Sequence, residues 1–260
     1  MPAVCKIAVS GKGGSGKTTI SAGLIKLLVE KKKSVIAVDC DPDQSLGLSL
    51  DFPKYNQIQP ISEMKDLIAR RVESDPLKPQ GFFKLNPQVE DIPEKFCPQH
   101  QGVRLIVMGK VEKPQGGCLC PENTFVRALV GHLVLRQDEF VILDMVAGSE
   151  HLGRATARGV DCFLIVTEPS ETSLKTSKHI RELAKGLGIE KIYFTGNKIK
   201  NKWDIDFIES SLGARLAGAI SFNKTLEAAR GKFVFDDTLR SEFEDIYKVT
   251  GIDPWFLYQI

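Results

Sequence analysis

Apolar residues along this chain fall into short continuous runs separated by stretches with helical spacing, and that alternation predicts an α/β fold. Ile7-Ala8-Val9, Ser34-Val35-Ile36-Ala37-Val38, Val103-Arg104-Leu105-Ile106-Val107-Met108, Phe140-Val141-Ile142-Leu143-Asp144, Cys162-Phe163-Leu164-Ile165-Val166 and Ile192-Tyr193-Phe194-Thr195 read as strands. Runs this short and this apolar suit strands buried on both faces. Between them, Ile20, Leu24, Leu27 and Leu28 recur at the spacing of one helix face, as do Phe125, Val126, Leu129, Val130 and Leu133. A further helix is expected from about Ser173 to Leu187, and a short helical pattern lies between Ile61 and Val72. The predicted architecture is a single domain over 1–260, a doubly wound, mostly parallel sheet flanked by helices. Residues 51 to about 102 hold seven of the thirteen prolines and read as an elaboration on that sheet.

Composition narrows the function more than the fold. With 260 residues and 42% hydrophobic content the chain can bury a full core. A net charge of +2 gives no electrostatic reason to expect nucleic acid. The longest basic run, Lys31-Lys32-Lys33, is expected to cap the negative end of the first helix. No stretch approaches a membrane span, Met1-Pro2-Ala3-Val4-Cys5 lacks the regions of a signal peptide, and Ile246 to Ile260 is aromatic with few basic residues. The expectation is a cytoplasmic protein without a membrane partner. Its six cysteines are then reduced thiols rather than a disulfide framework.

Chemistry first surfaces at Gly11-Lys12-Gly13-Gly14-Ser15-Gly16-Lys17-Thr18-Thr19, between the first strand and the first helix. The spacing G-x-x-x-x-G-K-[ST] in a strand-turn-helix context is that of a phosphate-binding loop. Glycines let successive N–H groups approach phosphate oxygens, and the helix dipole reinforces the cradle. Gly11, Gly13, Gly14, Ser15, Gly16, Lys17, Thr18 and the helix-start residue Thr19 make up the expected nucleotide contact. Lys17 would meet the β- and γ-phosphates and Thr18 would offer its hydroxyl to Mg²⁺. A glycine-rich connection without ligand would not need a Lys-Thr pair at that spacing. Asp144 ends an apolar strand, the Walker B arrangement that holds Mg²⁺ through water. Asp39-Cys40-Asp41-Pro42-Asp43 gathers carboxylates at a strand's carboxyl end, where α/β sheets bind ligands. The competing reading there is an acidic turn, with Asp43, Gln44 and Ser45 capping the next helix.

With its second lysine, Lys12, the loop reads K-G-G-x-G-K-T and resembles the deviant Walker A motif of the septum-site, plasmid-partitioning and nitrogenase iron-protein ATPases. That resemblance implies that Lys12 crosses a dimer interface to the partner's nucleotide, much as an arginine finger does; the plain alternative is a solvated loop lysine. It also implies that Asp41 orients the attacking water, that Asp39 stands near Mg²⁺, that Gly148 lies in the segment sensing the γ-phosphate, and that Asn197, with Lys198 beside it, reads adenine. An amide supplies both a donor and an acceptor to a purine edge. The family's second base loop usually reads Ile-Pro-aromatic, whereas this chain has Ile220-Ser221-Phe222-Asn223.

Two thiols sharpen the resemblance. Cys118-Leu119-Cys120 cannot close a four-ligand metal site alone, but a two-fold axis would supply a second pair and make a Cys₄ site. Free cysteines or a transient redox pair are the alternatives. The run Asp144-Met145-Val146-Ala147-Gly148-Ser149-Glu150-His151-Leu152-Gly153-Arg154 is similar to switch II of the CooC-type accessory ATPases, which assist nickel insertion into carbon monoxide dehydrogenase and also carry a C-x-C. Membership would make the chain an ATP-hydrolysing homodimer with ATP/ADP, Mg²⁺ and Ni²⁺ or Zn²⁺ as ligands. Its client would be carbon monoxide dehydrogenase or acetyl-CoA synthase. His151 is expected to give a hydrogen bond that changes with nucleotide state. Cys97-Pro98-Gln99-His100 reads as incidental. Two other classes stay open: an iron-sulfur electron donor resembling nitrogenase iron protein, for which Ala147 and Gly148 stand where a cysteine is needed, and a positioning or partitioning ATPase.

Overall fold

Every apolar run named above forms a strand. In the computed structural model, which describes residues 5–41, 43–74, 83–109, 121–135, 139–145 and 159–250, these are β1 (Lys6–Gly11), β2 (Val35–Asp39), β4 (Val103–Val107), β5 (Phe140–Asp144), β6 (Cys162–Thr167) and β7 (Ile192–Ile199). Two more, β3 (Gln99–His100) and β8 (Leu216–Ser221), complete an eight-stranded sheet of order β3-β4-β2-β5-β1-β6-β7-β8. All pairs are parallel except β3 with β4.

Strands β1, β2, β5 and β6 are buried along their whole length because both faces are covered. On β1, Ile7 and Val9 join a core with helix α1 (Lys17–Glu30) and helix α9 (Asp237–Val249). Ala8 faces the opposite core, formed by α3 (Lys65–Val72), α5 (Pro121–Leu135), α6 (Glu171–Gly186) and α7 (Lys202–Leu212). Strand alternation sends neighbouring side chains to these two cores. Ile20, Leu24, Leu27 and Leu28 are fully buried, as their spacing predicts. So are Ala22 and Ile25, because α9 covers the flank of α1 away from the sheet. The Phe243 ring lies so close to Gly23 that a Cβ there would meet it at 2.2 Å.

Sheet order also fixes where ligands can enter. From β1 the chain winds toward β2 and β4, and from β6 it winds toward β7 and β8, so direction reverses between β1 and β6. A crevice opens outside the carboxyl ends at such a switch point. The phosphate loop leaves β1 there. Gly11 pairs with Val166 of β6, so the two strand ends are level.

Several elements escape the hydrophobic pattern. The proline-rich stretch contributes α2 (Leu46–Ser49), α3, α4 (Ile92–Phe96) and β3, of which only α3 is predicted. Small residues hide β8: Gly218 sits against Ile246, and a Cβ there would meet that side chain at 2.5 Å. Helix α8 (Lys224–Ala228) is short and has no buried residue. Helix α9 had a readable signal, since Leu239, Phe243, Ile246 and Tyr247 lie on one face and Asp236 caps Leu239 N–H at 2.8 Å. Lys31 is the C-cap residue of α1, and its ammonium pairs with Glu244 at 2.8 Å and covers the Tyr247 ring. Among the described residues no helix is long and apolar enough to cross a membrane.

Candidate functional site

The loop after β1 turns tightly before it enters α1. Ser15 N–H donates to Lys12 C=O at 3.1 Å, and Gly14 and Gly16 take positive φ angles of 77° and 94°. A side chain at either glycine would be strained there. Gly11 has no room for a Cβ, which would lie 2.5 Å from Val166 O, whereas Gly13 has open space around it. Lys17 opens α1, with its ammonium 3.5 Å from Lys12 C=O. The Ser15 hydroxyl is buried without a partner. Free N–H groups of a helix start, a lysine and an unpaired hydroxyl together fit a phosphate chain.

Beside this cradle two carboxylates are buried. Asp39 and Asp144 face each other in register on β2 and β5, both wholly inaccessible. Asp144 accepts the Thr18 hydroxyl at 2.7 Å and the Ser21 hydroxyl at 3.0 Å. Asp39 accepts the backbone N–H of Asp41 and of Leu46, each at 3.0 Å. Burial first, then the charge of Asp144, pushes the Asp39 carboxyl up to about 7. Burial pushes Asp144 up to about 6, against the hydrogen bonds from Thr18 and Ser21 and the charge of Lys17. Two buried carboxylates beside the Thr18 and Ser45 hydroxyls, themselves 3.3 Å apart, form the oxygen-rich set that a hard divalent cation prefers.

A stability test follows from these shifts. Both folded-state values stand above the unfolded one, so this contribution is complete below about pH 4 and is lost as pH rises through 6 to 7. In EDTA, the melting temperature should therefore fall between pH 5 and 7.5, by an amount corresponding to a few kcal/mol. Mg²⁺ should restore it at pH 7.5 and do little at pH 5. A flat profile in EDTA would contradict the assignment.

The phosphate loop is flanked on its other side by β7. Asn197 and Lys198 lie within this strand, which runs past the predicted stretch to Ile199. The Asn197 amide donates to Ser15 C=O at 2.8 Å and occupies the space beside Gly16, where a Cβ would meet its nitrogen at 2.0 Å. Lys198, at a φ of 60°, donates to Gly14 C=O at 2.7 Å. Its ammonium also pairs with Glu168 at 3.1 Å, and Lys12 pairs with the same carboxylate at 3.2 Å.

Glu168, Ser21 and the Ser45 hydroxyl are absent from the sequence-based site. Ser21 was findable, being one turn beyond Lys17 and Thr18. Glu168 comes from a distant turn and left no local signal. The expected cap by Asp43, Gln44 and Ser45 needs correction: Ser45 makes no side-chain capping bond, and Asp39 takes the first amide of α2 instead. The Ser221 hydroxyl donates to Glu242, which also accepts the Ser221 N–H. A proline here would lose that amide bond. Asn223 caps α8 through the amides of Thr225 and Leu226.

Cys118, Cys120, Gly148 and His151 lie outside the described residues. Cys97 is buried and donates to Ile92 C=O at 3.7 Å, with burial pushing its thiol up to about 12. The His100 ring meets Phe52 edge-on. Cys162 is buried in β6 with its thiol against Cys5. Among the described residues no cluster of three or more His, Cys, Asp or Glu could hold a metal ion.

Comparison with known proteins agrees with this geometry. Residues 6–234 match the model of the CobQ/CobB/MinD/ParA nucleotide binding domain. The chain is 40% identical over 227 residues to the carbon monoxide dehydrogenase accessory protein CooC of Rhodospirillum rubrum, covering 86% of each chain. An uncharacterized ATP-binding protein of Methanocaldococcus jannaschii is 38% identical over 250 residues, 93% of this chain and 96% of that one. Among solved structures, the septum site-determining protein MinD of Pyrococcus horikoshii, complexed with Mg-ADP, matches with a TM-score of 0.65 at 19% identity, covering 95% of this chain and 96% of that one. A putative plasmid partition protein of Borrelia burgdorferi bound to AMPPNP matches at 0.66 and 16% identity, covering 99% and 100%. At such identities the structures speak for the fold.

Proposed function

We propose an ATP-hydrolysing, nucleotide-switched homodimer that drives nickel insertion into carbon monoxide dehydrogenase or the related acetyl-CoA synthase, from the premise that this chain belongs to the CobQ/CobB/MinD/ParA nucleotide-binding family and, within it, to the CooC-type branch. The supporting observation is one of convergence. In a chain 40% identical to CooC, the phosphate loop, Thr18, Asp39 and Asp144 meet at the carboxyl ends of adjacent strands.

Each residue then has a task. Lys17 and the amides of residues 13–19 hold the phosphate chain. A bound Mg²⁺ would neutralise phosphate charge, held by the Thr18 hydroxyl and, through water, by Asp144 and Asp39. Asp41 lies partly exposed past β2, with one carboxylate oxygen on Asp43 N–H at 3.0 Å, and orients the attacking water. Lys12 crosses to the partner's nucleotide, and Gly148 belongs to the segment that senses the γ-phosphate. Asn197 gives one N–H of its amide to Ser15 C=O, which leaves its carbonyl oxygen and its second N–H to meet the adenine edge. Cys118 and Cys120, paired across the two-fold axis, carry the nickel or zinc cargo. The setting is cytoplasmic, in keeping with Cys5, Cys40, Cys97 and Cys162 being free thiols.

The Cys118→Ala/Cys120→Ala double variant tests the metal arm. It should keep ATP turnover within about twofold, because the proposed phosphate and Mg²⁺ tasks fall to other residues, and lose stoichiometric nickel or zinc binding in equilibrium dialysis. Unchanged metal content would sink the metallochaperone reading.

A further inference from the structure

Glu168 stands just past the end of β6, on the rim of the crevice between β1 and β6. Its backbone is anchored, since its N–H donates to the Ser173 hydroxyl of α6 at 3.1 Å. Its side chain is 17% exposed. One carboxylate oxygen pairs with Lys12 at 3.2 Å and the other with Lys198 at 3.1 Å. Lys198 in turn holds Gly14 C=O. A single carboxylate thereby spans the phosphate loop and β7, with both its oxygens engaged. Burial alone would raise the Glu168 carboxyl, but the hydrogen bonds and charges of Lys198 and Lys12 outweigh it and hold it below the usual range.

Three ammonium groups crowd this loop at the positive end of a helix. Without an anion they repel one another, and Glu168 relieves that repulsion for two of them. A triphosphate brings the same kind of charge to the same place. Lys12, however, cannot keep Glu168 and also extend to a phosphate on another subunit.

We propose that Glu168 is an internal stand-in for phosphate, a positioning residue that holds Lys12 back in the free subunit and must release it before two subunits close around nucleotide. This rests on the dimer reading above. The carboxylate sets a threshold: dimer closure proceeds only when the nucleotide outbids Glu168 for Lys12, so a subunit without nucleotide stays apart.

Two measurements on the full chain test this independently. The first needs no dimer. In dilute, nucleotide-free protein, acylation of Lys12 by an amine-reactive ester is followed by peptide mass spectrometry, with exposed Lys54 as the reference amine. Glu168→Gln keeps size and hydrogen bonding but removes the charge, and Lys12 should acylate several-fold faster while Lys54 is unchanged. The second is sedimentation with AMPPNP and Mg²⁺, where Glu168→Gln should tighten dimerisation by roughly tenfold. In the Lys12→Ala background the same substitution should leave dimerisation unmoved, as a coupling carried by the pair requires. Unchanged acylation of Lys12 overturns the stand-in. Faster acylation without tighter association, in a wild type that does dimerise, overturns the threshold and leaves Glu168 a structural ion pair. If the wild type does not dimerise with nucleotide at any concentration, the dimer reading fails and the threshold with it, whatever the acylation rates.

Discussion

Lys17→Ala is expected to lower ATP turnover by roughly 100- to 1,000-fold and to weaken nucleotide binding as well, while the protein still melts cooperatively. Lys17 is 7% exposed, and among the described residues its ammonium rests against a loop carbonyl at the long limit of a hydrogen bond rather than in an ion pair. It is therefore available to a ligand at little cost. In the free subunit the neighbouring Lys12 and Lys198 both pair with Glu168, and in the proposed cycle Lys12 serves the partner's nucleotide rather than its own. Phosphate release at saturating ATP and binding of a fluorescent ATP analogue, measured on the same preparation, separate the two losses. Turnover within fivefold of wild type would mean that phosphate is held elsewhere.

Asp41→Asn should divide turnover from binding. We expect kcat to fall by roughly 100- to 1,000-fold with little change in ATP affinity, because a base that orients water acts only in the chemical step. The amide can still accept the Asp43 N–H, so the turn should persist. Asp41 is partly exposed, while Asp39, two residues earlier, is wholly buried and pinned to two amides. The two aspartates thus have different freedoms despite their proximity. In the proposed cycle this variant accumulates as an ATP-bound dimer, visible by sedimentation. Loss of ATP binding instead would assign Asp41 to the metal or the fold.

How much of this was legible in the chain depends on distance. The phosphate loop, Asp39 and Asp144 could be read because a parallel sheet places strand ends side by side, and a carboxylate ending an apolar run lands at the crevice automatically. Thr18 followed from its spacing to Lys17. Glu168 could not be read: it is 156 residues from Lys12 and 30 from Lys198, and its own neighbourhood looks only like a turn into α6. Asn197 was legible by type, but nothing local says that one of its amide hydrogens goes to Ser15 C=O. Strand β8 was obscured by small residues chosen for close packing under α9. Helix α9 is the opposite case, since its amphipathic pattern of Leu239, Phe243, Ile246 and Tyr247 is local and stands in the sequence itself.

The contact between Gly16 and Asn197 carries a consequence for anyone redesigning this protein. Because the asparagine fills the volume that a side chain at residue 16 would need, the phosphate loop and β7 form a keyed joint, and neither can slide along the other. In the proposed nucleotide site, base preference and phosphate affinity therefore cannot be tuned as separate modules. Under the proposed base contact, a ligand that wedges Asn197 aside to gain room for a larger base would break its hydrogen bond to the Ser15 carbonyl of the phosphate loop in the same motion.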